Sequence, residues 1–130
     1  MSSNTDAVRD IYAAFGEGRI GDIVAKMAEP TVFIQPGGAD IPWAGTYKSA
    51  AAVTEFFGKL DAAVQVTEFV PEQYVETGDT VVAIGRWAGA AKPAGKPFAS
   101  TWAMTWKFRD GKVYFYEAYE DTAVIARAFH

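Results

Sequence analysis

Residues 97–121 read PFASTWAMTWKFRDGKVYFYEAYED. Two runs rich in aromatic and β-branched residues flank Asp110-Gly111, a pair suited to the positive φ angles of a two-residue hairpin turn. The expectation is a long β-hairpin with Arg109 opposite Lys112. Counting outward places Thr105 opposite Tyr116 and Ala103 opposite Ala118. On the other face Trp106 meets Phe115, Met104 meets Glu117 and Trp102 meets Tyr119. One face then carries Ala103, Thr105, Tyr114, Tyr116 and Ala118, small and mid-sized groups suited to a cavity wall. The opposite face carries Trp102, Met104, Trp106, Phe108, Phe115 and Tyr119, too apolar to be left in water. It is read as core or subunit interface, and a homodimer through the Trp102/Met104/Trp106/Phe115 face is expected.

Upstream, the same pattern repeats. Residues 64–75 and 80–90 read as strands, separated by Thr77-Gly78-Asp79, with Lys92-Pro93-Ala94-Gly95-Lys96 as the next turn. The first half is helical. Val8, Ile11, Tyr12 and Phe15 form one apolar stripe, with Asn4, Thr5 or Asp6 as cap and Gly16 and Gly18 as stop. A second helix is expected over 20–28, closed by Pro30, then a strand over 31–35. The Gly/Pro-rich stretch 36–47 holds Trp43 in a loop, and Ser49 opens a third helix carrying Val53, Phe56, Phe57 and Leu60. A short terminal helix follows Asp121. Helices first and consecutive strands afterwards describe a single α+β domain spanning 1–130, with a curved antiparallel sheet over the helices.

Composition narrows the chemistry. Half of the 130 residues are hydrophobic and 15% are aromatic, enough for a substantial core. Lys and Arg are scattered and the net charge is −4, which argues against a nucleic-acid surface. The chain has no cysteine, and its single histidine is the terminal His130. Thiolate metal sites, His-based metal centres and Ser-His or Cys-His pairs therefore lack their parts, and no metal or other cofactor is expected. No apolar stretch reaches membrane-spanning length, and the polar start Met1–Asp6 has no apolar leader core. A cytoplasmic location without membrane contact is expected.

Several short motifs, taken in order, resemble the SnoaL-like family of the nuclear transport factor 2-like superfamily. They are Tyr12-Ala-Ala-Phe15 with Gly18 and Ile20-Gly-Asp-Ile-Val24, then Ala44-Gly45-Thr46-Tyr47, Asp110-Gly111-Lys112-Val113 and Tyr119-Glu120-Asp121-Thr122. The resemblance spans roughly residues 5–129. It implies a cone-shaped curved sheet wrapped around three helices, a pocket between them, and dimers through the outer sheet face. Its relatives include polyketide cyclases, ketosteroid isomerase and limonene epoxide hydrolase.

Carried over residue by residue, the known sites are mostly missing. The isomerase tyrosine falls on Tyr12, but its base aspartate falls on Gln35 and its protonated aspartic acid on or near Thr105. The epoxide hydrolase arginine falls on Arg86, while its two aspartates fall on Ala88 and Ala118. A histidine common in close relatives falls on Met104. Gln35 accepts no proton, and the alanines activate no water.

The candidate catalytic residues are Arg86, Glu120 and Tyr12. Arg86 shares strand parity with Val82 and Ile84, here read as inward, so it is either an oxygen clamp in the pocket or an ion-pair partner of Glu120. Glu120 is the candidate proton carrier, and Asp121 is read as a helix cap. Phe15, Phe33, Gln35, Trp43, Thr105 and Tyr116 are the candidate ligand contacts. Three readings stay open: a pocket protein binding a small, mostly apolar, oxygen-bearing ligand; a cofactor-independent isomerase, cyclase or hydrolase; and a structural dimerising domain. Replacement of the known carboxylates leans the balance toward binding. A cavity-facing carboxylate with a raised pKa would turn it toward catalysis.

Overall fold

The second half of the chain is a meander of four long strands, β3 (Val64–Thr77), β4 (Thr80–Ala91), β5 (Lys96–Arg109) and β6 (Lys112–Glu120). Before it come α1 (Asn4–Gly16), α2 (Ile20–Val24), β1 (Met27–Gln35), β2 (Gly45–Tyr47) and α3 (Ala50–Ala63), and α4 (Thr122–Arg127) ends the chain. This computed structural model describes residues 3–93 and 95–130. Met1, Ser2 and Ala94, parts of the polar start and of the Lys92–Lys96 turn, lie outside the described residues.

The six strands form one sheet in the order β2-β1-β6-β5-β4-β3. Neighbours pair antiparallel except β1 and β6, which run parallel. The departure from an all-antiparallel sheet follows from connectivity. The chain leaves β1 through β2 and α3, traverses the meander, and returns beside β1 in the same direction. β1 begins at Met27, four residues earlier than expected. Pro30 is accommodated because the β1–β6 pairing is interrupted between Met27 and Val32. The helix α2 is correspondingly short. The cap of α1 is Ser3: its side chain accepts from the Asp6 backbone N–H and Asp6 returns the bond, a capping box one residue upstream of the three expected caps.

The hairpin departs from its expected register through one bulge. Arg109 does face Lys112, and Phe108 faces Val113, but Lys107 then faces Phe115. Tyr114 is the extra residue. Its hydroxyl donates to Asp79 at 3.2 Å, and the Arg109 guanidinium lies 4.3 Å from its ring centre. Beyond the bulge every pair is shifted by one: Trp106 faces Tyr116, Met104 faces Ala118 and Trp102 faces Glu120.

The shift joins the two halves that sequence counting separated. Trp102, Met104 and Trp106 share the concave face with Tyr116, Ala118 and Glu120. Trp102 and Trp106 are each only 2% exposed within one chain, so they are core rather than a subunit interface. The outer face instead carries Ala103, Thr105, Phe115 and Tyr119, and Tyr119 is 51% exposed.

The parity of β4 is also opposite to the expected one. Val81, Ala83 and Trp87 are buried, whereas Ile84 and Arg86 face outward. Because β4 is apolar on both faces, alternation alone could not decide its inward set.

Candidate functional site

The concave face and the helices line a cavity of about 70 Å³. α1 contributes Tyr12 and Phe15, β1 contributes Phe33 and Gln35, and the loop before β2 contributes Trp43. α3 adds Phe56, Phe57 and Leu60. Trp87 of β4, Trp102, Met104 and Trp106 of β5, and Tyr116 and Glu120 of β6 complete the sheet wall. Tyr12, Phe15, Phe57, Leu60 and Phe69 also border an outer groove between α1, α3 and β3, so these five residues lie between cavity and groove.

Glu120 is the carboxyl group of this wall. The Trp87 indole N–H donates to its Oε1 at 2.9 Å. Burial among aromatic rings raises its pKa from 4.5 to about 7, and the Trp87 bond opposes that rise only in part. Among the described residues no Lys, Arg or His lines the cavity, so none of them holds the carboxylate in its charged form. The group therefore sits where protonated and ionised forms interconvert near neutral pH.

Tyr12 lies at the base of the aromatic cluster. Its hydroxyl accepts from the Trp106 indole N–H at 3.0 Å and donates to Met104 Sδ at 3.2 Å. Burial raises its pKa, against a smaller lowering by Trp106, so the phenol remains protonated. A thioether is a weak acceptor, which leaves that proton free to turn to a better oxygen. Gln35 Nε2 donates to the Tyr116 hydroxyl at 3.1 Å, and burial likewise raises the Tyr116 pKa. Phe33 stacks on Tyr116 at 3.9 Å between ring centres. Trp43 is held by its own loop, whose carbonyl accepts from the Tyr47 hydroxyl at 2.7 Å, and its indole meets Trp87 edge-on at 6.1 Å.

Of the residues picked from sequence, the structure brings together Tyr12, Glu120, Phe15, Phe33, Gln35, Trp43 and Tyr116. It excludes two. Thr105 lies outside because the bulge turns it to the outer face. Arg86 is 47% exposed and pairs with Glu68 and, at 3.7 Å, with Glu72 on β3. It is neither a cavity clamp nor the partner of Glu120, because β4 places it on the convex side. Asp121 does cap α4, accepting from the Val124 backbone N–H at 3.1 Å. Among the lining residues missed were Trp87, Trp102, Met104 and Trp106. Their signal was the spacing of 102, 104 and 106 with 87 on the neighbouring strand, which marks a shared face once the bulge is known. Among the described residues no group of three His, Cys, Asp or Glu is placed to hold a metal ion.

The curved six-stranded sheet folded over helices is that of a nuclear transport factor 2-like protein. The chain belongs to the SnoaL-like domain family, which matches residues 8–116. It is similar to an NTF2-like protein from Burkholderia xenovorans LB400, with 31% identity, 98% of this chain and 95% of the other covered, and a TM-score of 0.88. A second NTF2-like protein, from Burkholderia thailandensis E264, is 30% identical over 100% of this chain and 99% of its own, with a TM-score of 0.89. TerC, co-crystallised with polyporic acid, shares the fold at 24% identity and a TM-score of 0.85, covering 98% of this chain and 98% of TerC. No curated protein matches the chain.

Proposed function

We propose that this protein is a proton-transfer enzyme of the isomerase or cyclase type, acting on a small, apolar, oxygen-bearing molecule. The observation that carries this reading is the Glu120 carboxyl: walled by aromatics, bonded to the Trp87 N–H, and raised to a pKa of about 7. A carboxyl tuned to neutral pH is suited to take a proton and to return it. The carboxylate removes a proton from a carbon beside a carbonyl. The C–H electron pair becomes a C=C bond and the carbonyl π pair moves to oxygen. Where a C=C bond flanks that carbon, the same carboxyl returns the proton to the far end of that bond as the oxygen's pair re-forms the carbonyl and the C=C bond shifts into conjugation, so atoms and electrons balance without a co-reactant. In this reading the Tyr12 O–H leaves Met104 Sδ and donates to the oxygen as charge develops there. That TerC, of the same fold, was co-crystallised with polyporic acid supports ligand binding as a use of this fold.

The test uses 2-indanone, a planar ketone with exchangeable C–H groups beside its carbonyl. In deuterated buffer the protein is expected to accelerate deuterium uptake, with the rate rising through a pKa near 7. Glu120→Gln keeps an acceptor for Trp87 and removes the base, and should lower the catalysed rate by roughly 10²–10⁴-fold. Catalysed exchange that survives Glu120→Gln would overturn the assignment.

A further inference from the structure

A carboxyl group has two oxygens, and in Glu120 their surroundings differ. Among the described residues Trp87 is the one side chain that hydrogen-bonds this carboxyl, and its indole N–H reaches Oε1. Oε2 makes no hydrogen bond, yet it does not join Trp102 Nε1 as a buried atom without a partner, so it keeps accessible surface. One oxygen is anchored and the other is free.

The chemistry of the donor fixes what each oxygen can do. An indole N–H donates and never accepts, so Oε1 is the accepting oxygen in both charge states. In the acid form Oε1 is therefore the carbonyl oxygen, and the proton sits on Oε2. After ionisation the same bond keeps Oε1 occupied, and Oε2 is the oxygen open to a new proton. A Lys or Arg in place of Trp87 would also bond the carboxylate, but its charge would favour the ionised form strongly. A neutral donor orients the group and leaves both forms within reach.

The indole is itself held. Trp87 is 6% exposed. Phe98 of β5 meets its ring edge-on at 4.9 Å, and Trp43 meets it at 6.1 Å. Trp43 is fixed in turn by the Tyr47 bond to its carbonyl and by Phe129 at 5.7 Å. The loop tryptophan expected from sequence as a ligand contact thus also braces the residue that anchors the acid.

We propose that Trp87 is the positioning residue of this site: it anchors Oε1 of Glu120 and so makes Oε2 the oxygen that takes and returns the proton. Phe98 and Trp43 keep the anchor in place. The inference rests on the proton-transfer reading of the same site, and adds to it the reacting atom and the residue that aims it.

The experiment has a wild-type arm and a variant arm. In ¹⁵N-labelled protein the Trp87 indole signal, assigned by its through-space contacts to Phe98, is followed from about pH 5 to pH 9. It should move downfield as pH rises, with the midpoint of the Glu120 carboxyl, and should stay still in Glu120→Gln. Trp87→Phe should raise the Glu120 midpoint by about one unit, the worth of one hydrogen bond to a charged group. In the 2-indanone exchange assay it should lower kcat roughly 10–100-fold above the new midpoint and leave KM within about twofold. A tryptophan with only a packing role would lower the melting temperature and move neither midpoint nor kcat. A Trp87 signal indifferent to the ionisation of Glu120 overturns the proposal, and wild type decides this even where Trp87→Phe does not fold. So does a folded Trp87→Phe with the wild-type midpoint and kcat. The two readings fail separately: exchange indifferent to Glu120→Gln defeats the proton-transfer role, whereas exchange that needs Glu120 but is unchanged in Trp87→Phe defeats the anchor alone.

Discussion

A carboxyl group surrounded by indoles and phenyl rings loses most of its hydration, and one indole N–H restores only part of it. For Glu120 the neutral form is favoured, which ties the residue to stability as well as to chemistry. In the unfolded chain it ionises near 4.5, whereas in the native chain it holds its proton to about 7. The native state thus binds the extra proton between those values, and its advantage is complete below 4.5 and lost as pH rises through 7. The expected contribution is about 3 kcal/mol. Urea denaturation of wild type and Glu120→Gln should show the variant gaining on wild type by about that amount from pH 4 to pH 8. A pH-independent difference would contradict it. Glu120 was legible from sequence because the last strand ends there with few other carboxylates nearby. Arg86 was misread because its strand has apolar residues on both faces.

The strand elements show where reading a sequence succeeds and where it stops. The Asp110-Gly111 turn and the four-strand meander follow from turn chemistry and alternation, and both are present. The bulge at Tyr114 has no such local signature. It is fixed by contacts with Asp79 and Arg109, one of them from a distant turn. One extra residue sent Thr105 outward and brought Trp102, Met104 and Trp106 into the cavity, so the site's indoles were hidden by a tertiary effect.

Gly85 belongs to the same account. A Cβ there would collide with the Val70 carbonyl oxygen as well as the Trp102 ring. Gly85→Ala should destabilise by roughly 1–3 kcal/mol and shift the Trp102 indole signal. Gly58→Ala, in α3 with nothing within 4 Å of its Cβ, should instead stabilise by about 0.5–1 kcal/mol. Thermal melts of the two variants check both signs, and a neutral Gly85→Ala would contradict the close packing of Trp102.

Taken whole, the molecule keeps its charge outside and its aromatics inside. The chain carries a net charge of −4, yet the cavity holds one carboxyl and no basic group. Arg86, Glu68 and Glu72 form their ion pairs on the convex surface, where such pairs add little stability. No described helix is long and apolar enough to cross a membrane. The half-buried rings of Phe15, Phe57 and Phe69, with Tyr12 and Leu60, lie between the cavity and the outer groove. The proton-transfer role proposed for this site depends on Glu120 keeping its proton until near neutrality. Carbon-13 NMR of glutamate side-chain carboxyls, with Glu120 assigned by Glu120→Gln, measures that directly. A Glu120 midpoint near 7 is predicted. A midpoint in the ordinary carboxylate range, near 4.3, would contradict it.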